Sequence, residues 1–414
     1  MKKHLSRLLS IALAVLLLVP ALALAAHAAT DVTASFTDAN FRAAVLAALG
    51  KQPSGSISAE ECTTITALDA RSMDIAGIAG IEHLTNLSLF DCSGNKLTAL
   101  DFSKNMKLTR LGCGENPLVS LDISKNTNLV QLNCPETELT SLSLDVTHNP
   151  VLEILFIAGN PQLGTIDVTR NPALTDLNAA NCGLATLNIA NNTKLVSLYC
   201  QDNQLTSLSV ANFQWLQVLE CSNNQLATLN LTGCRDLMVL ACENNQLTSI
   251  SVSQVRGLMA LICSNNQISS LNLSSNLMLY DLICSGNRLG VLDVSANLYL
   301  QHLECADNRL VLLDLTQNED LVTLNCAGNR LSSLDVSKNR WLYAFNCAAN
   351  QLIALDVTGL ASLRELDVSN NQLPSKSAVK GLSEQSLYIF RYDPQVPNGT
   401  DITAKFTDPK LLEA

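Results

Sequence analysis

Cysteine recurs at one fixed spacing along most of this chain. The eight downstream members of the series are 21 residues apart: Cys200, Cys221, Cys242, Cys263, Cys284, Cys305, Cys326 and Cys347. Cys92, Cys113 and Cys134 occupy the same repeat position further upstream, so eleven of the fourteen cysteines belong to one column. A period of this length predicts a solenoid, in which each repeat forms one coil packed on the previous coil. Function is therefore expected on a long surface rather than in a catalytic pocket.

The repeat unit alternates apolar and polar positions. It reads L-x-x-L-x-C-x-x-N-x-L-x-x-L-D-V-S-x-N, as in the coil that begins at Leu321. Leu324 and Cys326 are two residues apart, so in a strand both point inward while Thr323 and Asn325 point outward. The unit predicts one short strand per coil and a parallel sheet along one face. The second half predicts an extended or turn-rich return, because 21 residues leave little room for a full helix.

Two asparagine columns predict hydrogen bonds to the turns. The position three residues after the cysteine is Asn in twelve of fourteen coils from Asn95 to Asn371, with Thr137 and Cys182 as the exceptions. A side-chain amide carries donors and an acceptor, so stacked Asn residues can satisfy the backbone groups that each turn leaves inside. A second Asn column follows the LDVS segment, and it is replaced in four coils, at Phe213, Cys234, Val255 and Leu360. The back turns are therefore expected to vary in the middle of the array.

The pattern resembles the leucine-rich-repeat pattern over roughly residues 65–373, and the chain resembles bacterial exported proteins of the internalin-like kind. The resemblance implies a right-handed leucine-rich-repeat solenoid of about fourteen coils. It further implies a parallel β-sheet on the concave face, an extended or turn-rich convex return and a short α-helical N-terminal cap. The implied function is non-catalytic binding at or outside the cell surface, as in adhesion or host interaction. The chain differs from the internalins in its coil length and in carrying Cys where they usually carry Leu.

The N-terminus has the composition of a secretory signal peptide. Lys2, Lys3 and Arg7 precede an apolar run over residues 8–25, and Ala28 ends a small-residue cleavage site. We expect residues 1–28 to be removed on export, a membrane anchor being the alternative, and the mature chain to be secreted or at the cell surface. Removing three basic and no acidic residues changes the formal charge from −11 to −14. So acidic a chain argues against nucleic acid or an anionic membrane as partner. Apart from the apolar run over residues 8–25, no stretch of the sequence is apolar enough to span a bilayer.

The two ends of the solenoid are expected to differ from the repeats. Residues 29–62 are predicted to form a helical N-terminal cap, because Thr37 or Asp38 can cap a helix and Gly50 can end it. The solenoid is assigned to residues 63–385 and a C-terminal flank to 386–414. Residues 401–414 match residues 31–44 at seven of fourteen positions. This match predicts the start of a second capped module, and a tail folded onto the last coil is the alternative.

The cysteine column is expected to consist of buried thiols rather than disulfides. Equivalent positions on neighbouring parallel strands are about 4.8 Å apart with side chains pointing the same way, which suits disulfide geometry poorly. Other coils place Ile157, Ala179 and Val368 in the same position, so a small hydrophobe suffices there. A structural role is also favoured for the off-column residues Cys62, Cys182 and Cys234.

A protein partner is expected on the outward positions of the sheet. In the coils from about residue 218 to 283 these positions are mainly apolar, and toward the ends they are polar. An exposed apolar patch with a polar rim usually marks an interaction site, and Met and aromatic side chains suit such a site. The predicted binding residues are Phe156, Tyr199, Val218, Glu220, Met238, Val239, Met259, Ile262, Tyr280, Ile283, His302 and Glu304. The alternative is a structural spacer or targeting module of a larger surface protein, whose bulky residues bind no ligand.

The sequence favours a protein without catalytic residues, metal or cofactor. His302 and Glu304 flank one strand and Asp281 lies one coil earlier, so an acid–base or metal pair is geometrically conceivable there. A surface cluster is the commoner explanation of such a group. The chain has no phosphate-binding glycine loop and no nucleophile elbow.

Overall fold

The computed structural model of this protein describes residues 30–140 and 143–396. Sixteen short strands form one parallel sheet in chain order, so every coil pairs with the coils before and after it. The parallel-sheet solenoid predicted from the repeat is therefore confirmed. The predicted signal peptide and the segment 401–414 lie outside the described residues.

The strands have three residues in nearly every coil. Those of the main sheet are β1 Ala67–Asp69, β2 Leu89–Asp91, β3 Arg110–Gly112, β4 Gln131–Asn133, β5 Ile154–Phe156, β6 Asp176–Asn178, β7 Ser197–Tyr199, β8 Val218–Glu220, β9 Val239–Ala241, β10 Ala260–Ile262, β11 Asp281–Ile283, β12 His302–Glu304, β13 Thr323–Asn325, β14 Ala344–Asn346, β16 Glu365–Asp367 and β18 Ile389–Arg391. A separate two-stranded sheet joins β15 Leu355–Asp356 and β17 Val379–Lys380. The fourteen coils recognised in the sequence correspond to β2–β14 and β16, and the sheet has one further strand at each end.

In β2–β14 and β16 the alternation buries the central residue and the residue that follows the strand, which is cysteine in eleven of these fourteen coils. In β13, Leu324 and Cys326 are buried, whereas Thr323 and Asn325 are half-buried on the outer side. All fourteen cysteines are buried with free thiols, which confirms the prediction made for the eleven cysteines of the column. Burial raises the pKa of the Cys200 thiol to about 12, so this thiol is protonated at neutral pH. The cysteine column thus acts as a set of small hydrophobes in the core.

The first asparagine column ties successive coils together. The Asn266 side chain donates from Nδ2 to the carbonyl oxygens of Cys242 and Cys263, at 3.0 and 3.2 Å. Its Oδ1 accepts from the Leu247 N–H at 2.9 Å. The same pattern recurs at neighbouring coils, for example at Asn287. The predicted role of this column is confirmed, because one amide satisfies backbone groups of two adjacent coils.

The second asparagine column is only half satisfied. Asn276 donates from Nδ2 to the carbonyl oxygens of Val252 and Val255, at 3.1 and 2.7 Å. Its Oδ1 is buried and has no hydrogen-bond partner, and eight other members of the column share this property. At Cys234, where cysteine replaces the Asn of this column, the thiol donates to the Val210 carbonyl oxygen at 3.1 Å. A thiol thus replaces the amide donor in this coil, whereas Phe213, Val255 and Leu360 leave three other back turns without a side-chain donor at this position.

A helical cap covers the first coil. Helix α1 spans Ala39–Ala48 and helix α2 spans Ala59–Cys62, and short 3₁₀ turns lie at Thr33–Ser35, Ile81–His83, Lys376–Ala378 and Glu384–Ser386. The Asp38 carboxylate accepts from the backbone N–H groups of Asn40 and Phe41 and so caps α1. The Phe41 ring is buried, and its centroid lies 6.3 Å from the centroid of the Phe90 ring in β2. The cap thereby covers apolar surface that the first coils would otherwise expose.

The C-terminal edge of the sheet lies beyond the boundary assigned from the sequence. Strand β18 pairs with β16 through Leu366 and Phe390, although the solenoid was expected to end at residue 385. Among the described residues, no helix is both long enough and apolar enough to cross a bilayer.

Candidate binding face of the sheet

The outward side of the main sheet carries the candidate site. We define the sheet face as the first and third residue of each strand, the residue before the strand and the second residue after it. All twelve predicted binding residues lie on this face and none of them is buried. Met238, Met259 and Tyr280 are the most accessible of the apolar ones, at 36%, 46% and 37% exposure.

Seven of the predicted residues form one continuous group, which we call the apolar patch. It consists of Val218, Met238, Val239, Met259, Ile262, Tyr280 and Ile283. Val218 is paired with Val239 across β8 and β9, and Ile262 with Ile283 across β10 and β11. The Met259 N–H donates to the Met238 carbonyl oxygen at 2.8 Å, which places these two side chains in register. Neighbouring strands are about 4.8 Å apart, so the seven residues lie on one face over four consecutive coils.

Two predicted aromatic residues stand outside the apolar patch. Tyr199 of β7 pairs with Glu220 of β8 and so borders the patch. Phe156 of β5 is separated from Tyr199 by Asn178 of β6. The structure therefore does not bring Phe156 into the same group.

Of the three remaining predicted residues, Glu220 pairs with Tyr199 beside the apolar patch, whereas His302 and Glu304 lie around a shallow depression of about 520 Å³ toward the C-terminal end of the face. Ile283, His302 and Glu304 line part of it. The His302 ring stands edge-on to Tyr280 with centroids 5.4 Å apart, and its Nδ1 is 2.8 Å from the Thr323 hydroxyl. These contacts hold the imidazole between neighbouring strands as one member of a surface cluster.

The sequence analysis missed the rest of this depression. Its far wall comes from Glu365, Asp367 and Arg391, and the Arg391 guanidinium is 3.6 Å from the Asp367 carboxylate. A second depression, of about 560 Å³, lies at the other end of the face around Asp91 and Arg110. Charged residues at outward positions were the available signal. Their grouping depends on the shape of the sheet, which the repeat does not encode.

Four exposed apolar residues next to the apolar patch were also missed. Leu277, Met278, Leu298 and Tyr299 are each more than half exposed in the turns that precede β11 and β12. They lie beside Tyr280 along the chain and on the next coil. Turn positions in other coils are mostly polar, and this contrast was the signal that could have revealed them. They extend the apolar surface from the sheet face onto the adjoining edge.

The described residues offer no evident metal centre. Nowhere in residues 30–140 and 143–396 do three or more His, Cys, Asp or Glu side chains converge as a metal site would require. The Asp281 carboxylate lies 4.0 Å from the His302 imidazole, and partial burial raises the pKa of Asp281 although His302 opposes that shift.

Comparison with known proteins places this architecture in a family. No protein-family model matches the chain. A segment of 70 residues is 43% identical to internalin J of Listeria monocytogenes serotype 4b (strain F2365), covering 17% of this chain and 8% of that protein. The structure of the functional domain of InlJ from Listeria monocytogenes, which includes a cysteine ladder, matches with a TM-score of 0.74 and 30% identity over 83% of this chain and 81% of that chain. The chain belongs to the bacterial internalin-like leucine-rich-repeat proteins.

The internalin-like chain shares its fold with a further internalin. InlF from Listeria monocytogenes strain 4b F2365 matches at 22% identity with a TM-score of 0.58, over 90% of this chain and 100% of that chain. Identity this low shows the fold alone. Internalin-like scaffolds of this kind indicate a protein-interaction module, and the matched segment covers 8% of the length of internalin J.

Proposed function

We propose that this chain is a non-catalytic binding module that takes a protein ligand on its sheet face, outside the cell or at the cell surface. The observation that carries the proposal is the apolar patch. Met238, Met259 and Tyr280 are accessible at the centre of a face whose two ends are polar. Removing accessible apolar surface from water contributes a favourable free energy of about 25 cal/mol per Å². Met and Tyr side chains adapt to a partner and present much contact area.

The dimensions of the face favour a protein over a small molecule. Sixteen strands at about 4.8 Å each give a face roughly 70 Å long. The two depressions are shallow and lie at its ends, whereas the apolar patch lies between them. Small-molecule sites bury most of their ligand in a concave pocket, and of the seven patch residues only Ile283 lines either depression. The net charge of −11 likewise favours a protein partner over nucleic acid.

The N-terminal sequence supports the extracellular location. Its basic start, apolar run and small-residue end have the order of a secretory signal. The relationship to internalin J agrees with a secreted or surface-attached protein.

A second candidate function is a structural spacer in a larger surface protein. The sixteen strands stacked in chain order favour it, because they place the first and last strands at opposite edges of one sheet. A spacer would leave the apolar patch without a ligand. The two candidates therefore differ in whether the patch captures a partner.

Capture by the immobilised chain tests the proposal. Host extracellular proteins and bacterial surface proteins would be passed over the wild type and over the double variant Ile262→Asp with Tyr280→Ala. The matched control is Val291→Asp with Ile353→Ala, which changes two exposed apolar residues outside the sheet face. Thermal unfolding of each variant checks its fold.

We expect the wild type and the control to retain a specific partner and the patch variant to lose it. Retention of the partner by a folded patch variant would remove the patch as the binding site. No specific capture by any folded form would favour the spacer.

A further inference from the structure

The sheet face is free of Lys and Arg across ten consecutive strands. From β5 to β14, which lie within the described residues, none of the Lys and Arg residues falls in a strand or immediately next to one. Six carboxylates do lie on the face there: Glu153, Asp176, Glu220, Glu243, Asp281 and Glu304. The Lys and Arg residues of these coils are confined to the turns and the return. The sheet face of these coils is therefore anionic, whereas the turns and the return carry both Lys or Arg residues and carboxylates such as Asp293 and Asp314.

Glu220 and Glu243 lie at the centre of this anionic face, on adjacent coils bordering the apolar patch. The Glu220 carboxylate accepts from the Ser222 N–H at 3.2 Å. Neither carboxylate has a Lys or Arg nitrogen within ion-pair distance in the described part of the chain. Partial burial raises the pKa of Glu243, and the nearby carboxylates of Glu220 and Glu304 raise it further. Two carboxylates close together without a cation are held at an electrostatic cost that a positively charged group would relieve.

Unpaired polar atoms surround Glu243. Ser222 and Ser264 occupy the same repeat position as Glu243 in the coils on either side, and they are only 4% and 7% exposed. The hydroxyl oxygen of each has no hydrogen-bond partner, and the same holds for the Gln201 amide oxygen one coil before Ser222. By strand alternation these side chains are on the outward side, opposite the buried cysteines. Buried polar atoms are nearly always hydrogen-bonded in folded proteins, so this row lacks partners that a ligand can supply.

We propose that Glu220, Glu243, Ser222 and Ser264 form a site for a lysine or arginine side chain of the protein ligand, whose neighbouring apolar residues cover the apolar patch. The inference rests on the proposed function and names the chemistry of the partner. Lys and Arg carry several N–H donors and no acceptor, which matches a group of carboxylate, hydroxyl and amide oxygens. An acidic ligand segment would meet like charges here, and an uncharged one would leave the carboxylates without a counter-charge.

A peptide-display selection on the whole chain tests the inference. A random twelve-residue library would be selected at about 0.15 M NaCl, an ionic strength at which distant charges are screened. The proteins compared are the wild type, the site variant Glu220→Gln with Glu243→Gln, and the control Glu115→Gln with Glu136→Gln. Glu115 and Glu136 are exposed glutamates of adjacent coils outside the cation-free stretch, so both variants lose the same charge. Thermal unfolding checks each fold, and fluorescence anisotropy measures the affinity of each recovered peptide.

We expect peptides selected on the wild type to be enriched in Lys or Arg beside apolar residues. Their affinity should fall about tenfold or more on the site variant and less than about twofold on the control. Recovered peptides without Lys or Arg enrichment, or bound equally by the site variant, would overturn the inference. If peptides that overturn the inference still lost affinity on the patch variant Ile262→Asp with Tyr280→Ala, the proposed function would stand without the cation site. Recovery of no peptide, or of peptides insensitive to that patch variant, would contradict the proposed function itself.

Discussion

Replacement of Asn266 by Ala measures what the first asparagine column contributes. The substitution leaves the Leu247 N–H without a partner, because among the described residues this N–H donates to Asn266 Oδ1 alone. The carbonyl oxygens that Asn266 serves keep second donors: Cys242 retains Asn245 Nδ2 at 3.1 Å, and Cys263 retains Asn287 Nδ2 at 2.9 Å. The cost is therefore dominated by one orphaned buried N–H, roughly 1–3 kcal/mol, with about 1 kcal/mol for the lost side-chain hydrogen bonds. We expect a loss of about 2–4 kcal/mol in the free energy of unfolding.

The equivalent substitution in the second column, Asn276→Ala, is the matched control. The Val252 carbonyl oxygen keeps the Val255 N–H at 3.0 Å, and the Val255 carbonyl oxygen keeps the Leu258 N–H at 3.3 Å. The substitution also removes a buried oxygen that has no partner. No donor is orphaned, so the expected cost is only about 1 kcal/mol.

Urea unfolding of the two variants decides between these expectations. A difference of about 2 kcal/mol corresponds to a shift of roughly 0.7 M in the unfolding midpoint at a slope of about 3 kcal/mol per molar. Hydrogen exchange supplies a local readout, because the Leu247 amide should lose protection in Asn266→Ala and keep it in Asn276→Ala. Equal costs for the two variants, or a larger cost for Asn276→Ala, would refute the account of the two columns.

Three further predictions concern the thiols, the cap and the first coils. The thiols of the native, unreduced protein should resist alkylation by iodoacetamide at pH 8. After denaturation, mass spectrometry should find most of the fourteen thiols alkylated. Widespread disulfide pairing would contradict the buried column. The hydrogen bond from Lys51 lowers the pKa of Glu61 from 4.5 to about 2, so the stability that this pair gives is fully present above pH 4.5 and is lost as the pH falls toward 2. Glu61→Gln should remove that part of the acid dependence of cap unfolding, and an unchanged acid profile would count against it. Gly80→Ala should cost about 2–4 kcal/mol, because φ is +99° and the new Cβ would be 2.5 Å from the Phe36 ring. Gly164→Ala, with φ +66° and no atom within 4 Å, should cost only about 1 kcal/mol in the same thermal assay.

Spacing alone predicted the architecture, because every coil repeats the same burial pattern. The two-residue step from Leu324 to Cys326 placed both in the core, and the column of Asn residues predicted the hydrogen bonds that Asn266 makes. The same alternation placed the twelve predicted binding residues on the sheet face. Which of those residues contact a ligand stays a prediction.

Features that do not repeat could not be predicted. Strand β18 follows a longer coil and is succeeded by Tyr392 where the repeat has a small core residue, so the pattern gave no sign that the sheet continues. The depressions depend on how neighbouring coils tilt, which periodicity does not specify. The unpaired hydroxyls of Ser222 and Ser264 also escaped notice, because serine at an outward position is ordinarily solvated and only the coordinates show these two to be buried.

The stacking of coils in chain order determines how the molecule responds to a pulling force. The first and last strands, β1 and β18, lie at opposite edges of one sheet, so tension applied through the two ends loads the coils in series. Only an end coil can detach without breaking contacts on both of its sides, and each coil of 21 residues that detaches releases roughly 70 Å of extended chain. Extension should therefore proceed stepwise from an end, while the remaining coils keep the apolar patch intact.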